Sequence, residues 1–448
     1  MRFINLTGRN EIGANCYFLE IEDRGFILDA GLHPKLAGFT ALPELEWIRD
    51  EIIHGILLTH CHLDHIGSLP VVMREHPAVP VYMTQACYQL SPIVLHNSCN
   101  VMIKERDEKH IREYPLFGHR EVDELLERWF TLRYKDPEKI AGGSIECTLF
   151  DAGHVLGSAG VQLKGKTESF FYTGDINFTP QTITLPADFP EESPDVLVIE
   201  TTRGAQAATE GKTRQTEIER LGRRLKEVFD RGGSVLIPCF ALGKQQEVLA
   251  ILHQIMTQGL IERKTVFFGG LGKQFSQLYD KLAPHTRRLL PDLQFFDDMD
   301  LAVFARGESD SIKLGGGKIF AVSAGMMTAP THSFVIGQRM LQTENNAIFF
   351  VGYLDPESPA GLIKAAGRGG KVKLGRDIPE QTVRCDMDSF DLTTHANRED
   401  ILNYILKVKP KTTILVHGDP TASEWFGDQL DKQNMKWIIP TPGKEYHL

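Results

Sequence analysis

Short apolar runs that stop on a polar residue recur along this chain. Gly25 to Gly31 (GFILDAG) and Gly55 to His60 (GILLTH) come first, and SFFYTGD, DVLVIETT, AIFFVGYLD and TTILVHGD repeat the pattern. Each reads as a buried strand that ends at a functional edge. From Lys212 to Gly233 the period becomes helical: Ile218, Leu221, Leu225 and Val228 form one stripe, Gly232-Gly233 ends it, and SVLIP follows as a strand. A helix (Lys244 to Gln258), a strand (TVFFGG), a helix (Lys273 to Leu282) and a strand (KIFAVSAG) come next, an α/β layer of its own. Residues 93–140 are charged and helical in pattern and read as an outer insertion.

The polar strand ends before about residue 205 and after about 385 look alike, while the segment between them looks independent. One domain inserted into another is the economical reading. It assigns 1–205 and 383–448 to one domain and 206–382 to the insert.

Composition changes this picture little. A chain of 448 residues with 42% hydrophobic and 24% charged residues is ordinary globular material with room for two cores. No apolar run approaches the roughly 18 residues that span a bilayer, and the N-terminal stretch has no secretory apolar core, so a soluble, unexported protein without a membrane partner is expected. Seven cysteines lie far apart with no CxxC pair, which speaks against disulfides or a cysteine zinc site and for a reducing, cytoplasmic setting. The net charge of -10 weighs against a nucleic-acid partner, but weakly. A metal centre, or a basic strip such as Ala365 to Arg376, can reverse the potential locally.

The chemistry concentrates in LLTHCHLDHIGSLP, which puts His60, His62, Asp64 and His65 into six residues. Such residues fill a core poorly, so metal ligation is the natural reading. In extended chain His60 and His62 share a side while Cys61 and Leu63 point inward; Asp64 and His65 can then face a second ion. Imidazole and carboxylate suit Zn²⁺, and also Mn²⁺ or Fe. Further ligands belong at other strand ends, with His154 (DAGHVLGSAG), Asp175 (YTGD) and His417 (LVHGD) as candidates. Taken singly, those two histidines would be ordinary and Asp175 a turn residue; their weight comes from joining the set.

These motifs resemble the metallo-β-lactamase superfamily, and within it the β-CASP nucleases, the family of RNase J and of the RNA-maturing nuclease subunit of the cleavage and polyadenylation machinery. The resemblance runs through ILDAG, THCHLDH, DAGHVLGSAG, YTGD, VIETTRG, IPCFALGKQQE, SAGMM, FFVGYLDPESPAGLI, LTTHAN and LVHGD. It implies an αββα sandwich made from both chain ends, with an α/β β-CASP domain inserted, and two Zn²⁺ ions (Mn²⁺ as a substitute). His60, His62 and His154 would hold one ion, Asp64, His65 and His417 the other, with Asp175 bridging and Asp29 orienting a ligand. It further implies that Asp64, His395 and Glu200 form the catalytic set: a metal-bridging hydroxide attacks phosphorus, His395 protonates the leaving oxygen, and Glu200 holds and charges His395.

Histidine at position 417 matches the RNA-acting branch, so single-stranded RNA is the expected substrate, within a homodimer or an RNA-processing complex. Backbone N–H groups of Ser323, Gly325 and Met326 in SAGMM would contact substrate phosphate, although a tight turn alone also wants Gly325. Thr393 stands for a phosphate-pocket serine. The chain departs from the family at Asn397 (commonly aspartate), in TAPTH after the SAGMM turn, which lacks glycines, and at Arg203 (commonly aromatic). Two other functions fit the shared ligand motif: hydrolysis of a small ester or thioester, and a weakly active RNA-binding assembly subunit.

Overall fold

The computed structural model describes residues 1–209, 211–304 and 307–448. The chain divides into two compact units: Met1–Pro180, Pro186–Ala208 and His395–Leu448 form the first, Gln181–Leu185 and Thr209–Thr394 the second.

Two seven-stranded sheets make the first unit. One orders its strands Glu445–His447, Arg2–Asn5, Tyr17–Ile21, Arg24–Leu28, Ile53–Leu57, Val81–Thr84 and Trp129–Leu132. The other orders Trp437–Ile438, Thr412–Val416, Val196–Glu200, Ser169–Tyr172, Ala159–Lys164, Ile145–Asp151 and Glu138–Ile140. Phe3, Tyr17, Leu28 and Leu57 of the first sheet pack with Leu149, Val161, Tyr172 and Val198 of the second in one core. Leu197, Ile199 and Leu415 point the opposite way, onto Ile401 and Ile405 of helix Arg398–Val408 and Phe426 and Leu430 of helix Pro420–Asp431. Val196–Glu200 is buried along its whole length because parallel strands flank it on both sides, which explains its unbroken apolar run. The result is an αββα sandwich.

In the second unit, six parallel strands run in the order Leu301–Val303, Val266–Phe268, Ile319–Val322, Val235–Pro238, Ala347–Phe350 and Asp386–Ser389. The stripe expected around Ile218 becomes helix Arg214–Asp230. Its Thr213 side chain accepts a hydrogen bond from Thr216 N–H, and Gly232 leaves the helix at φ +77°.

Three expectations change. Within the supposed helical insertion 93–140, Trp129–Leu132 and Glu138–Ile140 are edge strands, short and half solvated, so charged neighbours mask their alternation. Asp386–Ser389 pairs with Ala347–Phe350 in the second unit, past the boundary expected at 382/383. Leu63 is 39% exposed instead of inward-facing, because it opens the helical turn Leu63–Ile66; Cys61 is buried as expected.

Candidate metal centre

Neighbouring strand ends build the site. Asp175 follows Ser169–Tyr172, Glu200 closes Val196–Glu200, and His417 follows Thr412–Val416, three adjacent parallel strands whose ends are level through the pairs Tyr172–Val198 and Glu200–Val416. His60 follows Ile53–Leu57, His62 precedes the turn that carries Asp64 and His65, and His154 lies in the loop after Ile145–Asp151. The ILDAG loop anchors that turn: Ala30 N–H donates to His65 O (2.7 Å) and Leu32 N–H to Leu63 O (2.8 Å). A Cβ on Gly31 would lie 1.9 Å from Asp64 O, so glycine is required by the close approach.

Donor atoms of His60, His62, His154 and Asp175 all lie within 4.8 Å of one another. His62 Nδ1 is 3.1 Å from both His60 Nε2 and His154 Nε2, and Asp175 Oδ2 is 3.6 Å and 3.7 Å from the same two nitrogens. These separations are close to the edge of about 3.3 Å in a tetrahedron with Zn–N bonds of about 2.0–2.1 Å. Burial, the main cause, pushes both His60 and His62 below the ordinary histidine range. Neutral imidazole is the form that ligates.

Asp64, His65 and His417 make the second group. His417 Nε2 lies 3.4 Å from Asp64 Oδ2, while its Nδ1 lies 2.9 Å from Asp175 Oδ1; His65 Nε2 is 3.3 Å from that same oxygen. Burial opposes a proton on His417, but Asp175 and Asp64 outweigh it and raise the ring to about 10. His65 is likewise raised against burial by Asp175, Asp29 and Asp64. Burial disfavours charge on Asp64 too, yet His65 and His417 bring it down to about 2.

A cation fits this arrangement. Asp175 Oδ1 is buried and makes no hydrogen bond to any described residue, although two imidazole nitrogens are near. Among the described residues no lysine or arginine is ion-paired with Asp29, Asp64 or Asp175. Buried carboxylates need a counter-charge, and a field that holds protons on two rings equally favours a divalent ion among them.

Asp29, fully buried at φ +57°, ties the group together. Its carboxylate accepts from Thr59 N–H (2.8 Å), Thr59 Oγ1 (2.8 Å) and Tyr172 O–H (2.8 Å), and it lies 2.7 Å from His65 Nδ1. With Nδ1 so engaged, His65 Nε2 is turned toward Asp64 and Asp175.

Beside this cluster, Nδ1 of His395 lies 3.1 Å from Glu200 Oε2, and the His395 ring centroid is 4.6 Å from that of His154. Asp175, Glu200 and His395 form a third group of mutually close donors. Burial opposes a proton on His395; Glu200 and Asp175 outweigh burial and His417, so its affinity for a proton is raised. Ala396 N–H donates to Ile176 O (2.7 Å) and Ile176 N–H to Glu200 Oε1 (2.5 Å), which fixes the pair to the strand ends.

Three domain-family profiles match the chain: "Metallo-beta-lactamase superfamily" over residues 9–217, "Beta-Casp domain" over 245–363, and "Zn-dependent metallo-hydrolase RNA specificity domain" over 380–441. The chain belongs to the metallo-β-lactamase superfamily, in its β-CASP branch. That branch contains RNA endonucleases, and its members are hydrolases. Integrator complex subunit 11 of Danio rerio is 25% identical over 98% of this chain and 73% of its own length. Endoribonuclease YSH1 of Kluyveromyces lactis is 27% identical over 94% of this chain, which spans 55% of that relative. A crystal structure of a protein of unknown function from Enterococcus faecalis V583 shares the fold, with a TM-score of 0.59, 14% identity and coverage of 100% of this chain and 99% of that one.

In the β-CASP unit the expected phosphate-contacting residues have their own surroundings. Gly325 has no positive φ, and a Cβ there would make a tight contact, 3.2 Å from Phe240 N, while Met327 takes the left-handed conformation at φ +53°. Met326 Sδ accepts from Asp355 N–H (3.3 Å), Ser323 O from Ser333 N–H (3.4 Å), and Thr393 O from Arg214 Nη1 (3.2 Å). Asn397, in the first unit, precedes helix Arg398–Val408, and its side chain hydrogen-bonds Asp400. Sequence reading missed Thr59 and Tyr172 on Asp29, and Thr202, whose Oγ1 is 3.1 Å from His417 Nδ1. Only their adjacency to motif residues could have signalled them.

Proposed function

We propose that this chain is a zinc-dependent ribonuclease that hydrolyses phosphodiester bonds in single-stranded RNA, with His395 as general acid. The observation that carries the reading is the Glu200–His395 pair beside the donor groups: a histidine braced by a buried carboxylate (Glu200, 1% exposed) next to a candidate two-ion site. His60, His62 and His154 would hold one zinc, Asp64, His65 and His417 the other, and Asp175 both. Zinc bound there supplies an activated water and neutralises phosphate charge.

The chain's own residues do the rest. Asp29 holds His65 through Nδ1, so that Nε2, with Asn15 Nδ2 3.1 Å away, faces Asp64 and Asp175. Glu200 engages Nδ1 of His395 and leaves Nε2 to deliver the proton that the departing sugar oxygen needs. Lysine or arginine would hold its proton too tightly for that step, whereas a carboxylate-braced imidazole can give its proton up and be reprotonated near neutral pH.

The relatives, an endoribonuclease and a subunit of a complex, support internal cutting of RNA within an RNA-processing assembly. Seven free cysteines, all buried, support a reducing, cytoplasmic setting. No described helix is long and apolar enough to cross a membrane.

End-labelled single-stranded RNA and its DNA counterpart, incubated with zinc-loaded protein and with the Asp64→Ala variant, test the reading. RNA cuts that vanish in the variant are expected. Turnover of a small thioester without RNA cleavage would replace this reading with the small-ester hydrolase, and tight RNA binding without product would replace it with the assembly subunit.

A further inference from the structure

Glu247 is a buried carboxylate on helix Lys244–Thr257 of the β-CASP unit, 2% exposed. It accepts three consecutive backbone N–H groups, from Thr182 (2.7 Å), Ile183 (3.0 Å) and Thr184 (3.0 Å). Arg214 Nη2 donates to it at 2.8 Å, and Arg214 Nη1 donates to Thr393 O at 3.2 Å. Two more helix side chains hold the residues just before Thr393. Lys244 Nζ donates to Leu392 O, and Asp391 N–H donates to Glu217 (2.8 Å).

Both held segments lie where the chain passes between the units: Gln181–Leu185 belongs to the second unit between two stretches of the first, and Thr394 is the second unit's last residue. The first begins six residues after Asp175, and Thr393 is two residues before His395. A guanidinium that satisfies a carboxylate and a carbonyl at once is a directional contact that lysine cannot reproduce. A solvated helix face would serve stability equally well without burying a charge, since a buried ion pair is weak evidence for stability.

We infer that the Glu247–Arg214 pair is a positioning device for His395, fixing the carbonyl of Thr393 and so the backbone from which the general acid is presented. The inference rests on the role given to His395 above. Arg214 and Glu247 touch no reacting atom; they act through the chain that carries His395.

The test is a double-mutant cycle on RNA cleavage with Arg214→Met, His395→Ala and the pair, each checked for metal content and thermal unfolding. Arg214→Met is expected to lower kcat by about 10²-fold with KM little changed, since a misplaced catalytic group costs about that much. In the His395→Ala background the same change should cost nothing further. Hydrolysis of bis(4-nitrophenyl) phosphate, whose leaving group departs without a proton, should be spared. Arg214→Lys keeps the charge and should fall between the two, which provides a reading if the methionine variant does not fold. Additive losses in the cycle, equal loss on the aryl ester, or full RNA activity in Arg214→Met each overturn the positioning role while leaving the ribonuclease reading intact. No RNA cleavage by the unmodified protein overturns both.

Discussion

Glu200 and His395 stand 195 positions apart in sequence, yet their carboxylate and imidazole meet at 3.1 Å. Glu200 is the last residue of a fully buried strand, so the carboxylate has little freedom, and the histidine is braced from a rigid element. The relationship gives a directional expectation. His395→Ala should lower RNA cleavage by about 10²–10⁴-fold, the usual contribution of a positioned proton donor, with metal content unchanged. Kinetics alongside elemental analysis check it, and an equal loss of metal would remove the acid role.

Glu200→Gln should move the pH profile. Burial lowers the proton affinity of His395 and His417 repels a second charge, while Glu200 and Asp175 raise it. A general acid works only while protonated, so activity falls as pH rises through its pKa. Without the Glu200 charge that pKa falls, and the alkaline limb of kcat/KM should shift to lower pH. A limb that stays in place would show that another group titrates there.

Metal stoichiometry separates the two donor groups. Asp64→Ala leaves His60, His62 and His154 intact and should reduce bound zinc toward one ion per chain, whereas Asp175→Ala should lower both occupancies, because Asp175 faces both groups. Chelation should lower the unfolding temperature, and added zinc should restore it in a concentration-dependent way, since a ligand of the native state stabilises by mass action. Unfolding that ignores chelator would argue against a structural share for the ions.

Asp29→Asn removes charge while keeping shape. Asn tolerates the left-handed backbone that Asp29 adopts at φ +57°, so the fold should survive. The amide cannot accept from Thr59, Tyr172 and His65 together as the carboxylate does. Metal affinity should drop by about 10- to 100-fold, the usual cost of losing a ligand's supporting partner. Competition titration against a zinc indicator measures it, and unchanged affinity would refute the orienting role.

How much of this was readable in the chain depends on how each signal is written. The HCHLDH run is local and chemically costly, so it was visible, and the strands before Asp175, Glu200 and His417 were visible as unbroken apolar runs. The helix over Ile218 to Val228 was visible because its period is helical. Asp386–Ser389 was not, since DMDS is a half-exposed edge strand whose carboxylates are taken by Arg224 and Arg231. Glu247 was equally hidden: nothing in the helical run Lys244 to Gln258 marks its carboxylate as buried, and the backbone N–H groups it accepts from, Thr182 to Thr184, lie about sixty residues away. Long-range pairing of polar groups leaves no periodic trace.

Lys244 supplies a last, independent test. It is buried, and desolvation together with Arg214 brings its ammonium down to about 7, against the pull of Glu247, Cys239 and Asp391. An unfolded lysine titrates near 10.4, so between about pH 7 and pH 10 the unfolded chain binds the extra proton. Stability therefore rises with pH across that window, and below it the native state carries a buried charge at a cost on the order of a few kcal/mol. Lys244→Met removes the ionisable group but also the donor to Leu392 O. Other groups titrate in the same range, so the informative quantity is the difference in unfolding free energy between the variant and the unmodified protein. That difference should favour the variant most near pH 6 and move steadily toward the unmodified protein by pH 9. A difference that is flat across this range would mean that Lys244 keeps an ordinary pKa, and that the contact to Leu392 O is made by a fully charged ammonium.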